Sequence, residues 1–433
     1  MTRYVIIGAG IAGISAAETL RAADRSAQII LVSDDPHPFY SRPGLAYYLT
    51  DEIPEKQLYI YNKQDWKALD ARHVKGLATR IDTKKHFVEF RNTAPLVYDR
   101  LLVATGARAV PVNVHGENLK GVVKLDDFED ARQILDLSRH VKTAVVIGGG
   151  IIALELVEGL QARGIKVHYF LRGGRFWSNV LDEAESRIIE NRLIEDGVVL
   201  HYKMEVAEIQ GRGGKVSGVQ AKNGYSLSCD LVATGIGVKP RLELVQAAGL
   251  AVDRGILVNE YLQSSDANIF AAGDVAQVYQ PSTGRSVIDN LWTPGREQGH
   301  AAAWNMTGQN KIYSRAIAVN VLRLAGMMLT IIGSVGSGQD EDLVSVARGS
   351  SETWLQLPNT IAMASGNDIN QLRLMVGESV LVGALVLGEQ KLSLPLQELV
   401  SRQVDISPIR SQLLQPGAPL GQIVMDYWSS MKS

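Results

Sequence analysis

The sequence predicts an α/β fold: two doubly wound, parallel-sheet units followed by a C-terminal α+β domain. Three observations predict it. Arg3-Tyr4-Val5-Ile6-Ile7 reads as a buried strand that runs into Gly8-Ala9-Gly10-Ile11-Ala12-Gly13, with an Ala-rich helix over residues 14–23 and a second strand over 28–32. The same order returns further on, with a strand at 144–147, Gly148-Gly149-Gly150-Ile151-Ile152-Ala153, a helix over 154–163 stopped by Gly164, and a strand at 166–171. Residues 318–433 carry no such glycine motif and read as strands followed by short helices.

Glycines spaced as Gly8, Gly10 and Gly13 let a chain turn sharply out of a strand and approach a pyrophosphate closely. The helix N-terminus then faces the anion, as in a Rossmann-like dinucleotide site. Ile11 and Ala12, inside the motif, are candidate cofactor-binding residues with the glycines. Asp34 lies 21 residues past Gly13, close to the roughly 20-residue spacing of a carboxylate that accepts from the adenosine ribose. Asp35 is the reserve for the same role.

Composition excludes several classes. A net charge of −2 gives no long-range attraction for nucleic acid or an anionic membrane surface. One cysteine, Cys229, rules out an internal disulfide and a thiolate-held metal cluster, and no His/Asp/Glu spacing argues for a metal site. Cys229 lies in residues 226–232, which read as a strand, so it is expected to be a packed thiol. No run reaches the roughly 20 apolar residues of a membrane span. The nearest candidate, residues 316–335, contains Arg323 and reads as strands. A reducing cytoplasm is the expected location.

Between the two units, Pro36 to Leu49 forms an ordered loop ending in a helix. Arg42 there is placed to neutralise a pyrophosphate, its bland alternative being a surface arginine. Residues 79–90 read as a hairpin. Residues 98–103 read as a strand ending in the small-residue turn Ala104-Thr105-Gly106, where backbone can lie against a ligand. In the second unit the strand end is Phe170-Leu171-Arg172, with Arg175 three residues on and no carboxylate at the ribose position. That pattern favours NADPH over NADH. An apolar strand ends in Ala271-Ala272-Gly273-Asp274, and Pro294-Gly295 opens an Ala-rich helix reaching Met306. His300 on that helix is expected to pack, and Met327, Met328 and Trp354 to serve core or interface.

In combination these motifs, together with Ala233-Thr234-Gly235-Ile236-Gly237, resemble the pyridine nucleotide-disulfide oxidoreductases over nearly the whole chain. Within them the chain is similar to the NAD(P)H:rubredoxin reductase branch and to the flavin region of NAD(P)H nitrite reductases. The resemblance implies a glutathione reductase-like fold: two Rossmann-like dinucleotide-binding domains plus a C-terminal α+β interface domain. FAD would be held by residues 1–110 and 245–317, NAD(P)H by 111–244, and 318–433 would serve dimer contact or docking of an electron partner. It also implies that Asp274 binds the ribityl chain and that Glu155 lies near the nicotinamide. Trp292 would cover the flavin ring or pack in the core. The Lys that usually partners this Glu is replaced by Tyr47, and Pro43 stands where disulfide-reducing relatives carry a Cys. Internal thiol chemistry is thereby excluded, since it needs a thiolate within reach.

The expected function is a soluble FAD-dependent oxidoreductase that accepts hydride from NAD(P)H and passes electrons to a redox protein or partner subunit. A quinone or oxygen reductase and a non-catalytic flavin-binding subunit are the alternatives.

Overall fold

The computed structural model describes residues 1–281, 284–336, 349–355, 359–367 and 369–432; residues 337–348, 356–358, 368 and 433 of the expected C-terminal domain lie outside them. The first glycine motif leaves the central strand of a five-stranded parallel sheet, in the order Ile269–Ala271, Arg100–Val103, Arg3–Ile7, Gln28–Ser33, Arg72–Lys75. Ile7 is in register with both Val32 and Val103, so three strands end side by side at the motif. The second motif repeats this geometry in a sheet ordered Val199–His201, Lys166–Phe170, Thr143–Ile147, Leu231–Thr234, Val122–Lys124. Ile147 is in register with Phe170 and Thr234. Such sheets are covered on both faces, which is why Val5, Ile6, Val145 and Val146 are all fully buried.

Both motif helices begin earlier than expected, at Ile11 and Ile151 instead of 14 and 154. Gly10 and Gly150 are the extended N-cap residues, and the third motif position already lies in the first helical turn. There Gly13 lets the helix rest on the turn, since a Cβ on it would come 1.9 Å from the Gly8 carbonyl oxygen. The helix Trp292–Met306 packs along Ile11–Ala23, and Thr19 Oγ1 lies 2.7 Å from His300 Nδ1. His300 thus packs between helices, as expected.

The strand expected over 226–232 is broken into two. Ser226–Leu227 belongs to a three-stranded antiparallel sheet and Leu231–Thr234 to the second parallel sheet, with Cys229 in the crossing between them. Asp230 anchors that crossing, its carboxylate accepting the N–H groups of Lys142 and Thr143 at 3.0 Å each. A two-stranded antiparallel ribbon, Ala107–Ala109 with Val238–Pro240, joins the two units.

The C-terminal sheet is antiparallel, in the order Val319–Leu324, Met327–Gly333, Leu381–Leu387, Gln371–Val376, Ile361–Gly366. One face packs on the helices Ser393–Ser401, Ser407–Leu413 and Leu420–Ser430. Leu324, Leu329, Ile331 and Leu385 on the other face join the core that contains Ile151, Leu154 and Trp177. Trp354 is buried there, edge-on to Trp177 with centroids 6.2 Å apart, whereas Met328 is exposed. Among the described residues, no helix is long and apolar enough to cross a membrane.

Candidate functional site

Two cavities meet over the first motif and share Gly10, Tyr40, Arg42, Ala104, Gly106 and Asp274 in their walls. The larger, about 590 Å³, runs from Gly8 past Asp34, Asp35 and Thr105. The smaller, about 240 Å³, is lined by Ile11, Ala12, Pro43, Tyr47, Ile151, Ile152, Glu155, Gly273 and Trp292. Thus one cleft leads from the acidic end of the first sheet to the second motif helix.

At the junction, the helix Ile11–Ala23 has no side-chain cap. Its first internal bond is made by Ile14 N–H, so the N–H groups of Ile11, Ala12 and Gly13 remain for an anion. A Cβ added at Gly10 or Gly106 would meet no atom within 4 Å, so the backbone is bare where the cleft passes. Arg42 reaches the junction from the loop, donating to the Asp126 carbonyl at 2.6 Å with its guanidinium 5.7 Å from the Tyr40 ring centroid. Nearby Asp35, Asp126 and Asp274 favour its charge.

The two candidate ribose acids differ in engagement. Asp35 accepts His37 N–H at 3.0 Å and the Tyr40 hydroxyl at 3.3 Å, and lies 4.0 Å from Arg42. Asp34 is exposed and makes no side-chain hydrogen bond among the described residues. At the other end, Trp292 stacks on Phe39 with centroids 6.0 Å apart and planes 10° apart, and Gln298 accepts the Gly273 N–H at 2.8 Å.

Bare backbone N–H groups and the Arg42 guanidinium as donors, with the Asp34 carboxylate as a distant acceptor, continue into an apolar and aromatic chamber and fit an elongated dinucleotide with a planar ring system, as FAD is. The walls contain neither Cys nor Met. Cys229 is buried elsewhere among Val145, Phe170 and Val219, and burial pushes its thiol up to about 12.

In the second unit, Gly148 and Gly235 hold neighbouring turns together: a Cβ on Gly148 would fall 2.3 Å from the Gly235 carbonyl oxygen. Gly150 caps the helix Ile151–Gln161 without a side-chain bond. Arg172 is exposed beyond the strand end, whereas Arg175 turns inward and donates to the Ser178 and Leu181 carbonyls at 3.0 and 3.3 Å. None of Gly13, Gly148, Gly150, Gly235, Arg172 and Arg175 lines either cavity. The smaller cavity also has walls that the motifs did not single out, Glu158 and residues Asn320, Val321, Leu322 and Arg323 of the C-terminal sheet. Glu158 had a local signal, three residues after Glu155 on a helix; Arg323 had none. Among the described residues, no group of three His, Cys, Asp or Glu side chains could hold a metal ion.

Known proteins resemble this chain over most of its length. The assimilatory nitrate reductase electron transfer subunit of Bacillus subtilis (strain 168) is 28% identical over 418 residues, which are 96% of this chain and 51% of that protein. The biphenyl dioxygenase system ferredoxin–NAD(+) reductase component of Paraburkholderia xenovorans (strain LB400) is 30% identical over 378 residues, 86% of this chain and 87% of that one. This chain spans about half the length of the nitrate and nitrite reductase relatives it matches. The crystal structure of the ferredoxin reductase for the CYP199A2 system from Rhodopseudomonas palustris shares the fold, with a TM-score of 0.85 at 23% identity over 98% of this chain and 100% of that one. A family model described as pyridine nucleotide-disulphide oxidoreductase matches residues 2–303, the stretch that contains both glycine motifs and Asp274. The chain belongs to the pyridine nucleotide-disulphide oxidoreductase family.

Proposed function

We propose that this chain is an FAD-dependent reductase that accepts hydride from NAD(P)H and passes electrons to a redox protein or partner subunit. The observation that carries the reading is the cleft itself. It joins an acidic nucleotide end to a second dinucleotide motif helix, with no sulfur atom in its walls. Relatives named as a ferredoxin reductase component and an electron transfer subunit support the choice of acceptor.

FAD, when bound, supplies the hydride acceptor and the means of releasing electrons singly. The protein supplies placement and charge. Asp34 accepts from the adenosine ribose. The N–H groups of Ile11 and Ala12, together with Arg42, offset a pyrophosphate. Asp274 accepts from hydroxyls beyond it, with Pro43, Ala104, Thr105, Gly106 and Gly273 as close backbone and Trp292 as a wall. On the other side Gly148, Gly150, Ile151, Ile152 and Gly235 form the nicotinamide dinucleotide turn, Arg172 flanks its ribose, and Glu155 faces the meeting point of the two cofactors. We assign residues 1–110 and 245–317 to FAD, 111–244 to NAD(P)H, and 318–433 to partner or dimer contact, in a cytoplasmic protein.

The test is anaerobic rapid mixing of the purified protein with NADH and NADPH separately, followed by a rubredoxin- or ferredoxin-type acceptor. Bleaching of the flavin spectrum and reduction of the acceptor are expected. A colourless protein, or one that neither nicotinamide bleaches, overturns the reading. Fast turnover with quinone or oxygen alone replaces the protein acceptor.

A further inference from the structure

Three parts of the chain that are distant in sequence meet in the wall of the smaller cavity. Arg323, on the strand Val319–Leu324, pairs both terminal nitrogens with the Glu52 carboxylate, Nη1 lying 2.5 Å from Oε2. Its guanidinium also covers Tyr47, 5.2 Å from the ring centroid. In the same wall stands Glu158, one turn beyond Glu155 on the helix Ile151–Gln161. Side chains three apart on a helix share a face, so the two carboxylates are neighbours along the face turned to the cavity. Arg323 and the backbone N–H groups of Ala325 and Gly326, at the tip of the hairpin that carries Arg323, favour the charged form of Glu158.

We propose that Glu158 is a second carboxylate of the nicotinamide wall and that Arg323, in the same wall and fixed by Glu52, is a positioning residue that acts on it through charge, so that the C-terminal hairpin helps to discriminate oxidised from reduced nicotinamide. The inference rests on the hydride-accepting function proposed above. Its chemistry is charge balance. When the C4–H bond breaks, hydrogen and both bonding electrons leave together for the flavin, and the neutral dihydropyridine becomes a pyridinium cation. A fixed carboxylate nearby favours the cation over the neutral ring. Glu155 is one carboxyl placed to do this, and Glu158, when ionised, is a second.

The charge on Glu158 is adjustable. Burial raises its carboxyl to about 7, Arg323 and the two N–H groups pull it down, and Glu52 pushes it up. Among the described residues, Glu155 on the same helix, Tyr169 on the strand beneath and Tyr47 under Arg323 also belong to the titratable surroundings. Preference for the oxidised nicotinamide therefore rises as pH passes upward through about 7.

The test uses the flavin-loaded full chain, titrated anaerobically with the oxidised and the reduced nicotinamide across the neutral pH range, with rapid-mixing bleaching rates and melting temperatures alongside. Glu158→Gln is expected to lower the oxidised-to-reduced affinity ratio by about tenfold above neutrality and to abolish its pH inflection. Arg323→Gln moves the inflection to higher pH, and Arg323→Lys brings it part of the way back. Should Glu158→Gln and Arg323→Gln lower the melting temperature while leaving ratio and pH profile as in the unmodified protein, the cluster only joins the units and the inference is overturned. Should Glu158→Gln not fold, the two Arg323 variants decide the matter through the same inflection. An unmodified protein that neither nicotinamide bleaches overturns the proposed function instead, so the two failures are distinguishable.

Discussion

Arg373 and Glu185 form an ion pair out of reach of water: Nε of one lies 3.1 Å from Oε1 of the other, with side chains 4% and 1% exposed. Arg373 also donates to the Val180 carbonyl at 2.6 Å, while Glu185 accepts the Asp182 N–H at 2.9 Å in a capping box that opens the helix Glu183–Glu195. Burial pushes the Glu185 carboxyl up and Arg373 pulls it back. The pair fastens the C-terminal sheet to the second parallel-sheet unit.

Removing one partner strands the other. Arg373→Ala is expected to cost about 3 kcal/mol of stability, seen as an earlier urea midpoint. The double change Arg373→Met with Glu185→Gln recovers most of that loss, because no uncompensated charge stays behind. A double variant as weak as the single one contradicts this account.

The glycines of the first motif do different jobs, and alanine separates them. At Gly13 a Cβ would lie 1.9 Å from a carbonyl oxygen, so Gly13→Ala forces the helix off the sheet and costs about 3 kcal/mol. At Gly10 a Cβ meets nothing within 4 Å, so Gly10→Ala folds normally but places a methyl group where the pyrophosphate is proposed to lie. Its melting temperature without cofactor stays unchanged while the flavin retained on purification falls sharply, as the ratio of visible to ultraviolet absorbance reports.

Cys229 is predicted to be chemically silent. Its thiol is pushed up to about 12 by burial, so aromatic disulfide reagents leave it unmodified in the folded protein near neutral pH and label it on unfolding. Cys229→Ala costs about 1 kcal/mol of packing and leaves the rate of flavin bleaching by NAD(P)H intact. A bleaching rate that collapses with this substitution refutes the sulfur-free reading.

The two arginines after the second motif separate in the same way. Arg172→Ala is expected to lower kcat/KM with NADPH about tenfold relative to NADH, because an exposed guanidinium that can meet a 2′-phosphate is lost. Arg175→Ala frees the Ser178 and Leu181 carbonyls, so it lowers the melting temperature with little change in that ratio.

What was legible in the sequence follows from how local its physical cause is. The strand Arg3–Ile7 and the turn after it depend on neighbours within about ten residues, and they stand where the periodicity placed them. The helices start at Ile11 and Ile151, three residues before the sequence pattern places them, because Gly13 and Ala153 read as turn residues but lie inside the first helical turn. The run 226–232 reads as one strand because Leu227, Cys229 and Leu231 alternate with Ser226, Ser228 and Asp230. The break there comes from Asp230 binding Lys142 and Thr143, more than eighty residues away in sequence. Arg323 and Arg373 were beyond reach for the same reason: each side chain finds its carboxylate only once the C-terminal sheet packs onto the rest. The different surroundings of Asp34 and Asp35 depend on how the loop folds, since His37 and Tyr40 bond Asp35.

The ribbon formed by Ala107–Ala109 and Val238–Pro240 has a consequence for how the molecule can be taken apart. Val238 stands opposite Ala109, so the chain departs and comes back through one narrow neck. A tight hairpin turn could therefore close the neck without stretching either strand, but what lies between would not lift out cleanly, because its core runs on into Leu45, Leu49, Leu329 and Leu385.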